Sequence, residues 1–349
     1  MANISLAVKY RPTTFEDMTE QSAIKDILEN QIKTKTFQHG YLFTGPAGTG
    51  KTTSARIFAN MINEGKGNPI EVDAASNSGV DNVRQIIEDA KRKPLDAEYK
   101  IFIVDECHSL SNGAWQTLLK TLEEPPKFTI FIFCTTDPQK IPNTILSRVQ
   151  RYNFQKISNE GIIWRLNNII AAENRELIED AGVSQKGINC NEEALEYIAK
   201  VSNGGMRDAI TLMDKCLSLS PDLTLENVLQ TIGAEDYDTF IDFLSDLAEK
   251  SAPYAISVVE TVYNAGKDVK QFMKDFAKFI LEVEKYSIYG NFEYVNLPNT
   301  LESNLEQLNS VDLFNVMDFV VSLNSQIKWD TDPKTLIELS ILIYCGKEE

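Results

Sequence analysis

The sequence predicts an α/β fold, a parallel sheet with helices on both faces, followed by two all-helical parts. Three observations carry this. Short β-branched or aromatic runs alternate with helical stretches through residues 40–154. No strand pattern continues past about residue 158. In the last third, apolar residues recur at helical spacing, as in Phe272, Phe276, Phe279, Ile280 and Val283. Strands that alternate with helices need crossover connections, which give parallel pairing and helix-covered faces.

The expected strands are Gly40–Thr44, Ile70–Asp73, Ile101–Asp105, Thr129–Thr135 and Arg151–Phe154. Between them lie expected helices at Gln21–Thr34, Lys51–Ile62, Val80–Arg92, Ala114–Leu122 and Pro142–Ser147. Three more helices follow: Ile162–Asn174, Asn191–Ser202 and Met206–Leu219. Asn191 with Glu193 makes a sound helix start, and the Gly204-Gly205 pair precedes Met206. Ser220-Pro221-Asp222 reads as a boundary, and Leu225–Tyr344 reads as helical throughout. The expected domains are 1–157, 158–221 and 222–349.

The chain has 349 residues, 43% hydrophobic and 24% charged, a composition that excludes a disordered chain. Its apolar runs are far shorter than the ~18–20 residues that cross a bilayer, and its start lacks a signal-peptide core. A soluble, cytoplasmic protein without membrane contact is expected. The net charge of −17 argues against a generally basic nucleic-acid binder. It is unevenly spread: residues 1–156 carry 19 Lys/Arg against 18 Asp/Glu, and residues 157–349 carry 15 against 33. The near-neutral first part is free to present a basic face to phosphates; the acidic remainder repels them or keeps an assembly soluble. The five cysteines (Cys107, Cys134, Cys190, Cys216 and Cys345) are scattered without a CxxC pair, and the only histidines are His39 and His108. A zinc site built from these is not expected.

Residues 45–52, Gly-Pro-Ala-Gly-Thr-Gly-Lys-Thr, satisfy GxxxxGK[ST] between an expected strand and an expected helix. The glycines let the backbone wrap closely and aim its N–H groups at phosphate oxygens, and the following helix adds its positive end. Lys51 then reaches the β and γ phosphates of ATP, and Thr52 places its hydroxyl on Mg²⁺. The candidate nucleotide-binding set is Gly45, Pro46, Ala47, Gly48, Thr49, Gly50, Lys51, Thr52 and the adjoining Thr53. Fifty-four residues after Lys51, the strand Ile101–Asp105 ends in Asp105-Glu106. An aspartate at a strand tip suits Mg²⁺, and a glutamate beside it suits orienting and deprotonating the attacking water.

With their surroundings, these residues resemble the AAA+ ATPases, and within them the gamma/tau family of bacterial sliding-clamp loaders. The resemblance rests on Leu6–Pro12, Asp73–Ser76, Asp105–His108, Leu118–Pro126, Thr135–Pro142, Ile145–Arg148 and Gly205–Ala209, and covers about residues 5–215. It implies that Ala7, Arg11 and Pro12 lie near the adenine. It makes Thr135 the sensor-1 residue, with Thr136 as the fallback, and Arg207 the sensor-2 residue. Arg148 becomes the arginine finger that acts on ATP held by a neighbouring subunit. It further implies a helical lid at 158–221 and a collar at 222–349. The expected partners are the sliding clamp, primer–template DNA and other loader subunits in a ring-like pentamer.

Three departures accompany the resemblance. Residues 63–69 hold no cysteine where bacterial members carry a four-cysteine module, so no structural zinc is expected; this short connection resembles replication factor C small subunits. Val149 follows Ser147-Arg148 where the family has cysteine. Of the basic residues expected to follow DNA phosphates, Arg84 remains, with Lys120 further on. Trp115, Leu118 and Leu119 suit a clamp-facing surface or the core equally well. The family's tau-type extension is not present, which fits a gamma-length form or part of a longer chain. The rival function is an ATP-binding scaffold without turnover, against which Glu106, Thr135, Arg148 and Arg207 argue. A translocase would need a pore loop or winged domain, neither of which the sequence displays.

Overall fold

A computed structural model describes residues 4–181, 187–232, 237–292, 294–308 and 313–346. The chain divides into two compact units, Met1–Leu223 and Thr224–Glu349.

The first unit is built on five strands: β1 (Gly40–Thr44), β2 (Ile70–Asp73), β3 (Lys100–Asp105), β4 (Thr129–Thr135) and β5 (Gln150–Asn153). They pair in the order β2-β3-β4-β1-β5, and every pair is parallel. β1 and β4 are buried along their whole length, as central strands covered on both faces must be. One face packs Phe43, Phe58, Ile103 and Ile132; the other packs Phe102, Val104, Phe131 and Phe133.

The helices of this unit are α1 (Leu6–Lys9), α2 (Ser22–Thr34), α3 (Lys51–Ile62), α4 (Val80–Ala90), α5 (Asn112–Glu123), α6 (Asn143–Leu146), α7 (Asn159–Ala181), α8 (Glu192–Val201) and α9 (Met206–Leu219). α5 begins at Ser111, whose hydroxyl accepts the Ala114 N–H, and α8 at Asn191, whose side chain accepts the Glu193 N–H. Trp115 and Leu118 are not partner-facing. They are 2% and 1% exposed, and the Trp115 ring lies 5.4 Å from that of Phe133. Their spacing turns them onto the face of α5 that covers the sheet, with Leu119 half-buried beside them.

One further element departs from expectation. Past residue 158 a parallel ladder of two short strands, β6 (Asn189–Cys190) and β7 (Asp222–Leu223), ties α8 to the chain after α9. Two residues per strand are too few to display a period.

The second unit is helical: α10 (Leu225–Ile232), α11 (Tyr237–Ala248), α12 (Ala252–Asn264), α13 (Val269–Tyr289), α14 (Glu302–Leu308), α15 (Phe314–Ile327) and α16 (Pro333–Cys345). α13 is capped at both ends. Asp268 accepts the N–H groups of Lys270 and Gln271, and Gly290 closes the helix at a φ of 65°. Its apolar stripe, Phe272, Phe276, Phe279, Ile280 and Val283, is buried against Phe240 and Phe243 of α11.

Candidate nucleotide site

Parallel pairing brings the C-terminal tips of β1, β3 and β4 together, and the site forms there. The loop after β1 turns sharply into α3. Gly45 has a φ of 143°, and a Cβ on it would stand 2.4 Å from the Phe154 carbonyl oxygen. Gly48 has a φ of 71°, and its Cβ would meet the Gly205 Cα at 2.9 Å. Both positions require glycine. Thr49 closes the loop on itself, its hydroxyl donating to the Pro46 carbonyl over 2.9 Å.

Lys51 points into this loop. It is 7% exposed, and its ammonium donates to the carbonyls of Gly45 (2.9 Å) and Pro46 (2.7 Å). Burial pulls its pKa down, against the opposing pull of Cys134, Glu106 and Asp105. A buried ammonium without a carboxylate bonded to it leaves positive charge for an anionic ligand to neutralise. Thr52, next along α3, donates its hydroxyl to Asp105 Oδ2 over 2.8 Å. Thr53 is half-buried on the same turn.

Asp105 ends β3, and its other oxygen accepts the Glu106 N–H over 3.0 Å. Glu106 sits in the left-handed region at a φ of 46°, an uncommon place for a residue with a side chain. Its Oε2 accepts from the Thr136 hydroxyl over 3.3 Å and lies 3.3 Å from His108 Nδ1. Thr135, fully buried at the end of β4, has its hydroxyl oxygen 3.1 Å from the same ring nitrogen and accepts the Asp137 N–H over 3.0 Å. Both threonines proposed from the sequence thus converge on Glu106, Thr136 directly and Thr135 through His108.

The start of α9 touches the loop. The Met206 N–H donates to the Gly48 carbonyl over 3.0 Å, and Gly205 stands against Ala47 and Gly48. Arg207 follows at once; its guanidinium is exposed and pairs with no other described residue. α1, which carries Ala7, is fastened to the helices after β5. The Leu6 N–H donates to Asp214 of α9, and Lys9 pairs with Glu173 and Glu176 of α7. Arg11 and Pro12, both half-buried, follow where Arg165 holds the Tyr10 carbonyl at 2.9 Å. A few residues on, Met18 packs against the Ser54 hydroxyl of α3.

Arg148 does not join its own site. It precedes Gln150, which pairs with Tyr41 at the start of β1, so it lies at the end of the strand opposite the loop. About 15 Å of strand separates the two, at ~3.3 Å per residue. Its guanidinium instead bonds Glu123 and the Thr144 carbonyl. Arg84 pairs with Asp81 on the exposed side of α4, and Lys120 is exposed on α5.

Sequence reasoning passed over His108, Glu123 and the Gly48–Gly205 contact. The adjacency of His108 to Asp105-Glu106 was legible; the contacts of the other two join distant segments and had no local signal. Residues 63–69 form a glycine turn, where Asn63 exchanges two hydrogen bonds with the Tyr99 backbone. Among the described residues there is no cluster of three metal-ligating side chains, and no helix long and apolar enough to cross a membrane.

The donors present fit a magnesium nucleotide. The loop offers N–H groups and a buried ammonium for phosphate, and the Thr52 and Asp105 oxygens suit a hard divalent cation.

Two family models match. Residues 70–158 match DNA polymerase III, delta subunit, and residues 183–221 match the DNA polymerase III clamp loader subunit, ATPase lid domain. The first match begins after the phosphate loop, so it speaks for the sheet rather than for Lys51. DNA polymerase III subunit tau of Bacillus subtilis is 35% identical over 96% of this chain and 62% of its own length. The gamma/tau subunit of Mycoplasma genitalium is 32% identical over 86% of this chain and 52% of its own. The chain therefore spans only about half to three fifths of these relatives. Among solved structures, the Thermotoga maritima RuvB Holliday junction branch migration motor superposes with a TM-score of 0.50 at 19% identity, covering 69% of this chain and 80% of that one, a likeness of fold alone. A parallel five-stranded sheet with its phosphate loop, a matched lid and relatives aligned along nearly the whole chain lead to one conclusion: the chain is similar over almost all of its length to the gamma/tau subunits of DNA polymerase III, with a match to the clamp loader subunit's ATPase lid domain at residues 183–221.

Proposed function

We propose that the chain is an ATPase motor subunit of a sliding-clamp loader, which binds and hydrolyses ATP to load the clamp on primer–template DNA. The observation that carries this is the strand-tip cluster. Lys51 is turned into its loop, Thr52 lies 2.8 Å from Asp105, and Glu106 follows with a carboxylate oxygen left for water.

In this reading the loop from Gly45 to Thr53 takes the phosphates of ATP, with Lys51 on the β and γ groups. Ala7, Arg11 and Pro12 flank the base. Thr52 and Asp105 hold Mg²⁺, which when bound neutralises charge on the phosphate oxygens. Glu106 orients the attacking water and accepts its proton. Thr135 donates to the γ-phosphate, and Arg207 approaches the phosphates from α9. Arg148 serves the ATP of the adjacent subunit. Its separation from its own loop supports that assignment, because a group at the far end of β1 acts on a site only if a neighbour brings one to it. The division into a nucleotide domain (1–157), a lid (158–221) and a collar (222–349), the pentameric ring, and DNA contact through Arg84 and Lys120 belong to the same proposal. No zinc is required by it.

Steady-state ATP hydrolysis of the purified chain, alone and with its clamp and primed DNA, tests the reading. Stimulation by clamp and DNA together, abolished by Lys51→Ala, is the expected result. Turnover that survives Lys51→Ala overturns it, and zero turnover under all conditions favours the ATP-binding scaffold.

A further inference from the structure

We propose that His108, held with its proton on Nδ1, is a positioning residue that sets Glu106 and Thr135 for hydrolysis; this rests on the reading of Glu106 as the residue that activates water. The argument begins with what surrounds the ring nitrogen. Nδ1 stands 3.1 Å from the Thr135 hydroxyl oxygen and 3.3 Å from Glu106 Oε2. An ionised carboxylate offers only lone pairs. A bare Nδ1 would set lone pair against lone pair, so the N–H form is the one this geometry favours. The His108 side chain is 20% exposed, so neighbouring protein, more than water, sets its orientation.

Two consequences follow for the partners. The Thr135 oxygen accepts the Asp137 N–H at 3.0 Å, and a protonated Nδ1 occupies its second lone pair. Both lone pairs of the sensor threonine are then taken by the protein, and its own hydroxyl proton is left to donate, toward a phosphate or toward the Cys107 thiol that Thr135 also meets. Glu106 is gripped through Oε2 alone, by Thr136 and against His108, while no described residue bonds Oε1. One oxygen is anchored and the other is presented. Glu106 occupies a left-handed backbone conformation, which persists only where its surroundings fix it. Among the described residues, His108 is thus the one whose side chain lies within reach of both the γ-phosphate sensor's side chain and the residue beside the water.

Two measurements test this. With only two histidines in the chain, ring nitrogen shifts of histidine-labelled protein resolve His108 from His39. The expected result is an Nδ1–H tautomer at His108 that shifts in Glu106→Gln and in Thr135→Val while His39 does not move. An Nε2–H tautomer overturns the proposal. In ATP turnover with clamp and primed DNA, His108→Ala should lower kcat about tenfold, a part of the typical contribution of a positioned base, with KM for ATP changed less than about twofold. His108→Asn, whose amide nitrogen can take the place of Nδ1, should restore most of the rate. His108→Gln, which sets the amide one methylene further out, should not. Equal activity of the Ala and Asn variants, or a loss of kcat only in step with a lower melting temperature, overturns it. Glu106→Gln separates the two levels. If it leaves turnover intact, the assignment of Glu106 falls; if it abolishes turnover while His108→Ala does not, only the role of His108 falls.

Discussion

The Thr52 hydroxyl lies 2.8 Å from Asp105 Oδ2, although the two residues come from a helix start and from a different strand's end. The oxygens suited to a magnesium ion already stand side by side, sharing a proton. Asp105→Asn keeps an acceptor for Thr52 and removes the charge. The expected outcome is a melting temperature without nucleotide close to that of the parent. The magnesium-dependent part of the stabilisation by ADP should be lost, where the parent gains about 2.7 kcal/mol at a hundredfold excess over Kd. Thermal unfolding with and without Mg²⁺ measures both.

Gly45 joins a φ of 143° to a neighbour that leaves no space, the Phe154 carbonyl 2.4 Å from where a Cβ would stand. Gly45→Ala therefore strains the backbone and displaces β5 from the loop. A destabilisation of about 2–5 kcal/mol is expected from strain and overpacking together, with loss of nucleotide binding. Urea unfolding gives the first quantity and fluorescent-nucleotide titration the second; a neutral Gly45→Ala would contradict the loop geometry.

Much of this site was legible in the sequence, and the reason is local. β1, β2 and β4 run over the residues expected and β3 differs by one residue, because each carries apolar or β-branched residues bounded by polar ones; β5, Gln-Arg-Tyr-Asn, is shifted by one residue and has only Tyr152 buried. α3 and α9 also match, since a glycine precedes each. The part that was not legible depends on contacts between distant segments. α7 reaches to Ala181, beyond the expected Asn174, since a polar second half gives no periodic signal. The seven helices described after residue 224 read as one undivided stretch. Trp115 left the core and a partner surface equally open, and its packing against Phe133 decided for the core.

Arg148 is bonded to Glu123, with 31% and 44% of the two side chains exposed. Exposed pairs of this kind contribute roughly 0–1 kcal/mol. Glu123→Gln should accordingly change the stability of the chain by less than about 1 kcal/mol in chemical denaturation, while freeing Arg148 to swing. Arg148→Ala should be equally mild for stability but lower clamp- and DNA-stimulated turnover. A large loss of stability in either variant would make the pair structural.

Cys190 is the exposed cysteine, and desolvation pushes its thiol up to about 11. A raised pKa keeps the thiol protonated, so the reactive thiolate is scarce below that pH and grows tenfold per unit toward it. At pH 8 only about one molecule in a thousand carries the thiolate, against roughly a quarter for an unperturbed cysteine. Iodoacetamide labelling followed by peptide mass spectrometry should show slow modification at pH 8 that accelerates steadily to pH 10. Rapid labelling at pH 7 would rule out the desolvated setting.

The seam between Gly48 and Gly205 joins the phosphate loop to the first turn of α9 by peptide against peptide, with the Met206 N–H on the Gly48 carbonyl. Contacts made through side chains yield by rotamer changes; this one has none to turn. The first turn of α9 is therefore fixed to the loop by backbone atoms alone, with the Met206 amide as the bond between them. Arg207, one residue beyond that amide, therefore starts from a backbone position set by the loop, although 159 residues separate it from Gly48 along the chain.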